Sequence, residues 1–588
     1  MPHGGLAVQC CRMNRREILR SLLAVPLSRA ARAQTAAEGA WARTPAFEAL
    51  RARLGPRLVA VNSPLDACAR AGGAGAADLF ARIKNPYYLG DDPALTQTLG
   101  WHGAWVSRAS RYALRAESAA DVAAAVDFAR RQGVRLVVKG GGHSYFGNSN
   151  AADSLLVWTR ALDRIDVHES FVPAGAPAGT GARPAVSVGA GAIWGRVYEA
   201  VAAKHGRYVQ GGGCLTVGVT GLVLGGGFGS FSKAFGTGAA SLLEAEIVTA
   251  DGRTRVVNAW REHDLFFALK GGGGGTFGVA TRLTLATHPL PETFGAVLFS
   301  VTAADDAAWA ALVTRIVAFY AEALFNPAWG EQLRFDRGRT LSVSMLCHGL
   351  DRASVEAVWK PFLSWLAARP DEYRLAAAPT FIAVPARRFW DPEFLRSLPG
   401  IVVGDDRPGA PAGNVFWATN LGEAGQLLHA YESMWLPASL LNAGAQHRLA
   451  EALIAASKAW SVTLHVNKGM AGGTPAALAA TRDTATNPEV LDAFALVICA
   501  ADAPPAWPGI PGHEPDAATA AREAAQVRQA MAPMRALAPG AGAYVSETSY
   551  FDRNWQAMYW GGHYARLQAV KRRYDPDNVF HGRHTVEP

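Results

Sequence analysis

The stretch Val137–Asn148, VVKGGGHSYFGN, decides how the rest of the chain is interpreted. An apolar run ending at Val138 predicts a buried strand, and the three glycines at 140–142 stop it. Successive glycines let backbone N–H groups converge on an anion without interference from side chains, which suits a diphosphate. The turn then presents His143. Taken alone, this stretch favours a plain glycine turn followed by a solvent-facing histidine.

A second stretch, Gln210–Gly229, shifts the preference from a plain glycine turn to a ligand-binding loop. Nine of its twenty residues are glycine, apolar residues stand between them, and it contains Cys214. This composition predicts neither a regular helix nor a regular strand, but backbone wrapped closely against a large flat ligand. A third glycine cluster, 271–275, is followed by a predicted strand over 281–287.

The glycine clusters do not fit the common nucleotide-binding motifs. GxxxxGK[ST] is absent from the sequence, which excludes a P-loop. The segment 189–195, GAGAIWG, is one residue too long for GxGxxG and lacks an acidic partner at the required distance. HExxH and GxSxG are also absent. The remaining interpretation is an α/β domain around a large phosphate-bearing cofactor, with one histidine and one cysteine presented from glycine loops.

Size and charge narrow the class of protein. A chain of 588 residues predicts two or three packed units, and its 50% hydrophobic content excludes disorder. The net charge of +8 suggests nucleic acid at first. However, residues 1–33 contain six arginines and one glutamate, which leaves +3 for the remainder of the chain. Because no basic patch interleaved with aromatic residues is found there, a nucleic-acid partner is excluded.

Residues 1–33 predict an export signal. The pair Arg15–Arg16 precedes a short apolar run over 22–27, and Ala31–Ala33 forms an A-x-A cleavage pattern. This arrangement resembles a twin-arginine leader, so the partner expected here is export machinery for folded proteins. The apolar run is too short to cross a bilayer, and no membrane span is expected. We expect a periplasmic or secreted protein cleaved after about Ala33; the alternative is an ordinary arginine-containing amphipathic tail.

The cysteines outside this leader do not form a metal motif. Cys68, Cys214, Cys347 and Cys499 are widely spaced and contain no C-x-x-C. The spacing therefore predicts no zinc or iron–sulfur site, and it does not indicate a disulfide framework.

Composition divides the chain after the leader at 1–33. Residues 34–100 are rich in Ala, Gly and Pro with weak helical periodicity, which predicts a loosely packed N-terminal extension. Residues 101–292 have an α/β pattern. Residues 293–540 alternate strand-like runs with Ala-rich helices, which predicts an antiparallel sheet covered by helices. Residues 541–588 form an aromatic-rich tail.

One helix is defined at both ends by its sequence. Ser118 is the predicted N-cap with Asp121 three residues later, and Gly133 is the predicted terminator. A second helix is predicted over 193–205. The predicted strands, besides those already given, are 155–158, 185–188, 246–248, 255–257, 295–301, 340–347, 461–467 and 494–500.

Three separated motifs resemble those of flavoproteins with the vanillyl-alcohol-oxidase fold, in particular the berberine-bridge-enzyme-like branch. The segment 139–147, KGGGHSYFG, is similar to the loop that holds the FAD diphosphate and bonds its histidine to the 8α-methyl group of the isoalloxazine. The segment 214–229 is similar to the one whose cysteine bonds to C6 of that ring. The segment 574–580, YDPDNVF, matches the family's C-terminal signature. The similarity covers residues 105–290 and 541–588, and more loosely the region between them.

The resemblance implies an α+β fold with a two-subdomain, PCMH-type FAD-binding domain at 101–292. It further implies a substrate domain at 293–540 and a tail, 541–588, that returns to the FAD domain. The implied cofactor is FAD bound covalently through His143 and Cys214. The alternatives are a non-covalent hydrogen bond from the histidine and a structural buried thiol. The other implied cofactor-binding residues are Lys139, Gly140, Gly141, Gly142, Ser144, Gly147, Gly213, Thr216, Val217, Gly218, Gly221, Gly225, Gly226, Gly227, Gly229 and Val279.

The chain departs from the family pattern at several positions. Leu215 stands where proline often follows the cysteine, so a slightly different turn is expected there. His563 stands where the family commonly has asparagine, so the contacts made by that asparagine are not expected in this chain. Val217 is at the position where valine accompanies reactivity with oxygen, which favours an oxidase.

Hydride transfer requires a group that accepts the substrate's proton. Related enzymes often use the tyrosine of a Tyr-x-Asn-Tyr motif, and Glu547 occupies that position in this chain. A half-buried carboxylate beside a flavin can have a raised pKa and act as a base, whereas the structural alternative is a pair with arginine. Tyr550, Tyr559 and His465 are the further catalytic candidates.

The resulting hypothesis is an exported FAD-dependent oxidoreductase that moves a hydride from an alcohol, hemiacetal or amine carbon to flavin N5. Oxygen or another acceptor then takes the electrons. A sugar or oligosaccharide is the first expected substrate, because an open cleft and 17 tryptophans suit stacking on pyranose faces, although those tryptophans also suit a core. The alternatives are oxidation of an aromatic or alkaloid-type metabolite, and a flavin-bearing electron-transfer or binding protein without a base.

Overall fold

The computed structural model describes residues 39–588. The predicted leader at 1–33 lies outside the described residues. The chain divides into a short unit that ends at Arg53 and a large unit that runs from Leu54 to Pro588. In the short unit, Trp41 packs edge-on against Phe47, with ring centroids 5.3 Å apart.

The strands within the described residues are, in chain order, β1 (Leu58–Ala60), β2 (Thr98–Trp101), β3 (Trp105–Val106), β4 (Tyr112–Arg115), β5 (Leu136–Lys139), β6 (Leu155–Trp158), β7 (Ile165–Phe171), β8 (Arg183–Gly189), β9 (Arg207–Tyr208), β10 (Leu242–Val248), β11 (Thr254–Asn258), β12 (Val279–Ala286), β13 (His288–Pro289), β14 (Thr293–Ala303), β15 (Trp329–Asp336), β16 (Thr340–His348), β17 (Tyr373–Leu375), β18 (Thr380–Pro385), β19 (Val402–Gly404), β20 (Val415–Trp417), β21 (Gln426–Pro437), β22 (Val462–His465) and β23 (Ala493–Ala503).

The α-helices within the same residues are Pro45–Leu54, Pro64–Arg70, Ala76–Ile83, Pro86–Gly90, Ala119–Gln132, Trp194–Tyr198, Val219–Leu224, Ser232–Phe235, His263–Leu269, Asp306–Phe319, Arg352–Ala367, Pro392–Ser397, Gln446–Ala459, Pro475–Arg482, Ala517–Leu537, Trp555–Trp560 and Tyr564–Tyr574.

Two sheets make up the region predicted to bind the cofactor. The first has the order β1-β4-β6-β5, and the second, which is antiparallel, has the order β11-β10-β12-β8-β7. The helix predicted from Ser118 is present over Ala119–Gln132. The Ser118 hydroxyl accepts the Asp121 N–H at 3.2 Å, and Gly133 ends the helix in the left-handed region at φ 62°.

A larger sheet follows, with the order β17-β14-β16-β15-β22-β23-β21-β2-β3 and β18 paired to β14. Its neighbours are antiparallel except for β2 and β21, which are parallel. The long helices pack on it: Trp309, Leu453 and Met531 are each at most 1% exposed in one core with the strands. The predicted α+β class and the helix-covered antiparallel sheet are therefore confirmed.

The expectation of a loosely packed extension over 34–100 is wrong from Leu54 onward. Leu79 and Ile83 are at most 3% exposed and pack in one cluster with Trp507. Strand β2 joins the large sheet beside β21. The helices here have only five to eight residues, so the apolar periodicity is too short to detect among so many alanines and glycines.

The glycine-rich stretch 210–229 also departs from its prediction, because Val219–Leu224 forms a short helix within it. Apart from Thr220 and Gly221 this segment consists of apolar residues, and Val219 and Val223 are fully buried. A single glycine inside a helix costs roughly 1 kcal/mol relative to alanine, and burial of the apolar side chains offsets this cost.

The α-helix Asp306–Phe319 continues as a π-helical turn over Tyr320–Leu324, and the combined segment is long and apolar enough to cross a bilayer by length and composition. Leu312, Val313 and Ile316 of this helix are fully buried against the large sheet, which is the packing of a core helix.

The C-terminal segment is fixed by an ion pair between Lys571 and Asp575, whose side chains are both 0% exposed. Asp575 also accepts the backbone N–H groups of Val579 at 2.7 Å and Phe580 at 2.9 Å. The Lys571 ammonium group donates to the Thr276 carbonyl at 2.8 Å. The tail signature is therefore a folded turn around one carboxylate, attached to the end of the third glycine cluster.

Replacement of Asp575 by Asn should lower the free energy of unfolding by about 3–5 kcal/mol, because Lys571 would remain buried without a counter-charge. Asp577→Asn, at an exposed position of the same turn, should change it by at most about 0.5 kcal/mol. Urea unfolding measures both. Equal losses in the two variants would contradict a structural role for the buried pair.

Candidate active site

The glycine clusters lie against one another. A Cβ atom on Gly141 would lie 2.8 Å from the backbone nitrogen of Gly218, and one on Gly218 would lie 2.9 Å from the nitrogen of Gly141. The Gly273 N–H donates to the Leu224 carbonyl at 2.9 Å, which joins the third cluster to the second. The loops that carry the histidine and the cysteine are thus in backbone contact, and only glycine permits that approach.

The cysteine loop is fixed by a neighbouring backbone segment. The Gly195 N–H donates to the Leu215 carbonyl at 2.8 Å, and the Val219 N–H donates to the Ala192 carbonyl at 3.0 Å. These bonds bracket the segment from the cysteine to the short helix and fix it to the backbone of residues 192–195.

His143 is well suited to hold a cofactor. Its Nε2 atom is buried and has no hydrogen-bond partner within the described residues. Burial lowers its pKa to about 4, and a hydrogen bond with the Thr216 backbone acts in the opposite direction. The ring is therefore neutral at physiological pH, which leaves a lone pair for a bond. Because a buried polar atom without a partner is costly, a bound group would satisfy this site.

Cys214 differs from the other described cysteines. It is half-buried, whereas Cys68, Cys347 and Cys499 are buried, and none of the four forms a disulfide. The Asn420 side-chain amide donates to its sulfur at 3.6 Å. Burial first, and then the Glu423 charge, raise the pKa of the thiol. Cys214 therefore remains protonated at neutral pH until a base acts on it.

One side of the cysteine loop is open. No described atom lies within 4 Å of a Cβ placed on Gly213 or Gly221, and Thr216 and Val217 are half-buried beside them. This opening leaves room for a flat ring system against the loop. The residues present therefore fit FAD: a neutral imidazole, a thiol and an open glycine face lie together.

The remaining predicted glycines pack against the protein itself. A Cβ on Gly225 would lie 2.6 Å from the Ser546 hydroxyl, and one on Gly147 would lie 2.7 Å from the Trp105 ring. Gly226, Gly227 and Gly229 are similarly crowded by Thr486, Leu222 and Gly211. At these positions the glycine is required by neighbouring side chains or backbone within the protein.

Three further predicted cofactor residues have defined positions. Lys139 is buried, which lowers its pKa to about 7, and its ammonium group donates to the Asp92 carbonyl at 2.6 Å. The Lys139 ammonium group therefore binds the backbone of an adjoining loop. The Ser144 hydroxyl accepts the Asn148 N–H at 3.3 Å, and Val279 begins β12 as a fully buried residue.

The candidate base Glu547 forms an ion pair with Lys468, not with the arginine of the alternative interpretation. Both side chains are half-buried. The turn that carries Lys468 is rigid, since Trp435 Nε1 donates to the Lys468 carbonyl at 2.8 Å. Buried Lys233 supports the same turn by donating to the Gly469 carbonyl at 2.7 Å.

The other catalytic candidates occupy different surroundings. His465 ends β22, its Nδ1 atom is buried without a partner among the described residues, and burial together with the Lys468 charge lowers its pKa well below the usual value. Tyr550 packs near Phe146, with ring centroids 6.4 Å apart. The hydroxyl of Tyr559 donates to Asp552 at 3.0 Å, so this residue has a structural position in the tail.

Two tyrosines beside the site were not identified from the sequence. The rings of Tyr145 and Tyr431 have centroids 5.2 Å apart, and both residues are half-buried. Burial raises the pKa of both hydroxyls, and the Glu547 charge contributes in each case. Tyr145 belongs to the histidine motif, two residues after His143, and that position was the available signal.

Asn420 and Glu423 were also missed. Asn420 lies in a short 3-10 turn, Ala418–Gly422, and Glu423 follows that turn directly. This part of the chain has no apolar periodicity that would have placed them near Cys214. Burial raises the pKa of Glu423 to about 7, and the charges of Asp502 and Glu547 add to that effect.

Comparisons with known proteins agree with this geometry. A model of the FAD binding domain matches residues 110–258, and a model described as berberine and berberine-like matches residues 536–587. A VAO-type flavoprotein oxidase from Thermothelomyces thermophilus is 30% identical over 482 residues, which cover 80% of this chain and 75% of the relative. This chain belongs to the berberine-bridge-enzyme-like, VAO-type flavoproteins. It is an FAD-dependent oxidoreductase, as predicted.

Solved structures of VAO-type flavoproteins share the fold. The crystal structure of one from Myceliophthora thermophila C1 at pH 5.0 superimposes with a TM-score of 0.74 and 23% identity, and covers 93% of this chain and 96% of the other. A glucooligosaccharide oxidase from Acremonium strictum, described with a 6-S-cysteinyl, 8α-N1-histidyl FAD, gives a TM-score of 0.62 and 20% identity. It covers 82% of this chain and 92% of its own. At these identities the likeness shows the fold alone.

Within residues 39–588, no group of three or more His, Cys, Asp or Glu side chains is placed to hold a metal ion.

Replacement of Gly218 by Ala should disrupt the contact between the two loops of this VAO-type flavoprotein, because the new methyl group meets backbone that cannot move independently. We expect a lower melting temperature and a lower ratio of flavin to protein absorbance. Gly444→Ala is the matched control. It adds a methyl group that meets nothing within 4 Å at an exposed turn outside the site, and should change stability by at most about 0.5 kcal/mol with the flavin content unchanged. If Gly218→Ala were as stable as this control, the contact would not constrain the site.

Proposed function

We propose that this VAO-type flavoprotein holds FAD covalently through both His143 and Cys214. The observation that carries this proposal is the unpartnered, neutral imidazole on a loop in backbone contact with the Cys214 loop. The cofactor linkage described for the glucooligosaccharide oxidase of the same fold supports it. Covalent attachment lets the protein leave one side of the ring open, and the exposed Gly213 and Gly221 are consistent with that arrangement.

When bound, FAD supplies an electron-poor ring that accepts a hydride. In our proposal, Glu547 takes the proton from the substrate oxygen as the hydride leaves carbon. The ammonium group of Lys468 holds this carboxylate in place, and the rigid turn beneath Lys468 limits its movement. Neutral His465 lies within the field of Lys468 and is suited to accept a hydrogen bond from a substrate hydroxyl.

The substrate that we propose is an alcohol or hemiacetal carbon of a sugar or oligosaccharide. Support comes from the open face of the cysteine loop at Gly213 and Gly221 and from the oligosaccharide oxidase that shares the fold. Val217, half-buried beside Cys214, favours oxygen as electron acceptor. The paired rings of Tyr145 and Tyr431 favour a second candidate, a flat aromatic metabolite that stacks between or upon them. Periplasmic or secreted localisation through the leader at 1–33 is part of the same proposal.

The double linkage predicts flavin that survives denaturation. After unfolding in detergent, wild-type protein should remain fluorescent on a gel and have the intact mass of chain plus one FAD. His143→Ala and Cys214→Ala should each retain flavin through the remaining bond, with altered absorption maxima. The double variant should release all flavin in acid. Release of all flavin from the wild type would rule out both linkages.

The proposed base predicts a loss of turnover without loss of the flavin. Glu547→Gln should lower the rate of anaerobic flavin reduction by sugars about 10²–10⁴-fold. Glu451→Gln, at an exposed position of the helix Gln446–Ala459, is the control and should retain the wild-type rate. Stopped-flow absorbance with sugar, alcohol, amine and aromatic panels measures the reduction. If dithionite bleaches the wild-type flavin and no panel member does, the electron-transfer alternative is correct.

A further inference from the structure

We propose that Asn420 and Glu423 attach Cys214 to the flavin: Asn420 orients the sulfur, and Glu423 removes its proton. This inference rests on the proposed covalent linkage through Cys214. It goes beyond that linkage because it assigns the residues that form the bond. Neither residue was a candidate from the sequence, and both come from the substrate region of the chain.

The positions of these residues follow from one short turn. Strand β20 ends at Trp417, and the 3-10 turn Ala418–Gly422 follows directly. A 3-10 helix has three residues per turn, so residues 417, 420 and 423 lie on one side of it. Trp417 Nε1 donates to the Gly213 carbonyl at 2.8 Å, and the Asn420 amide donates to the Cys214 sulfur at 3.6 Å. This side of the turn therefore faces the cysteine loop.

Glu423 is the third residue on this side, three positions after Asn420 and directly after the turn. The Asn420 side chain favours the ionised form of its carboxylate, whereas burial of the carboxylate opposes ionisation. The charge of Glu423 in turn raises the pKa of the Cys214 thiol, and the charge of Lys468 lowers it. The residue as a whole remains exposed to solvent, so a proton that it accepts can leave to water. Glu423 is therefore a base located beside a thiol that needs one.

The groups that face Glu423 set the pH at which it can act. They are Asp502 on β23, Glu547 in the tail, Lys468 in the turn after β22, Asn420 on its own turn, and the ionisable side chains Cys214 and Tyr145. The carboxylates oppose its ionisation and the lysine favours it, after burial as the main cause. With a pKa raised to about 7, Glu423 is about half ionised at neutral pH, and the fraction able to accept a proton rises with pH through that range.

Attachment of the sulfur to the ring releases two protons and two electrons. The S–H bond breaks, and its proton passes to the Glu423 carboxylate. The sulfur forms a bond to ring carbon C6 in place of the C6–H bond, and that second proton leaves to solvent in the cleft. Two electrons enter the ring and are then taken by dioxygen, which is the oxidant this step requires, with two protons to form hydrogen peroxide.

The test follows bond formation and not turnover. The full chain is produced in riboflavin-starved cells, FAD and dioxygen are added between pH 5.5 and 9, and loss of the Cys214 thiol is followed by alkylation and peptide mass spectrometry. In the wild type, the rate should rise with pH through about 7 and then level off. Glu423→Gln should slow it about 10²-fold or more and remove this pH dependence.

Two variants separate proton removal from orientation. Glu423→Asp should restore part of the rate and keep a pH inflection. Asn420→Ala should slow attachment about 10-fold while the inflection remains, because the base is intact. Glu451→Gln is the exposed control and should match the wild type. Attachment at His143, measured in the same digests, should be unchanged in all variants, which also reports that each has folded and bound FAD.

The outcomes distinguish the two proposals. If wild-type Cys214 loses its thiol and Glu423→Gln does so at the same rate with the same pH profile, the role of Glu423 is overturned and the linkage stands. An unchanged rate in Asn420→Ala overturns the orienting role in the same way. If the wild-type thiol persists while His143 becomes attached, the double linkage fails, and the attachment role fails with it.

Discussion

The contact between Gly141 and Gly218 is the constraint on which the rest of the site depends. Two loops, 77 positions apart along the chain, approach to a distance that excludes even a methyl group. One loop presents an imidazole and the other a thiol. Because each loop is also fixed to its own sheet or neighbouring segment, the two reactive side chains are positioned by backbone packing. A site built in this way is pre-organised before a cofactor arrives.

The charges beside this pair come from separate parts of the chain. Glu423, Glu547 and Glu331 each interact with the charge of Lys468, and each raises the pKa of the Cys214 thiol. Glu331 has a positive φ of 79° on β15, an uncommon conformation for a non-glycine residue, and its carboxylate accepts the Ser230 hydroxyl. Glu423 and Glu547 also raise the pKa values of the Tyr145 and Tyr431 hydroxyls. The thiol and both hydroxyls are therefore neutral at physiological pH, which suits groups that give up a proton only during a reaction.

The sequence predicted those structural features whose physical cause lies within a few neighbouring residues. The cap at Ser118 and the terminator at Gly133 were predicted because capping depends on a few neighbouring positions. His143 and Cys214 stood out because glycine flanked them. Glu423 and Lys468 could not be found, since their roles arise from long-range placement of short, aperiodic segments. Several glycines predicted to contact the cofactor, such as Gly225, also leave room for the protein's own side chains, a requirement that the sequence does not reveal.

The buried pair of Lys571 and Asp575 has a consequence for biosynthesis. The Thr276 carbonyl at the end of the third glycine cluster binds its ammonium partner almost three hundred residues later along the chain. Domains begin to fold from the N-terminus while the ribosome is still working. Here the end of the third glycine cluster cannot complete its contacts until the segment that carries Lys571 and Asp575 has been synthesised. Co-translational folding of the region before it is thereby coupled to a segment made much later.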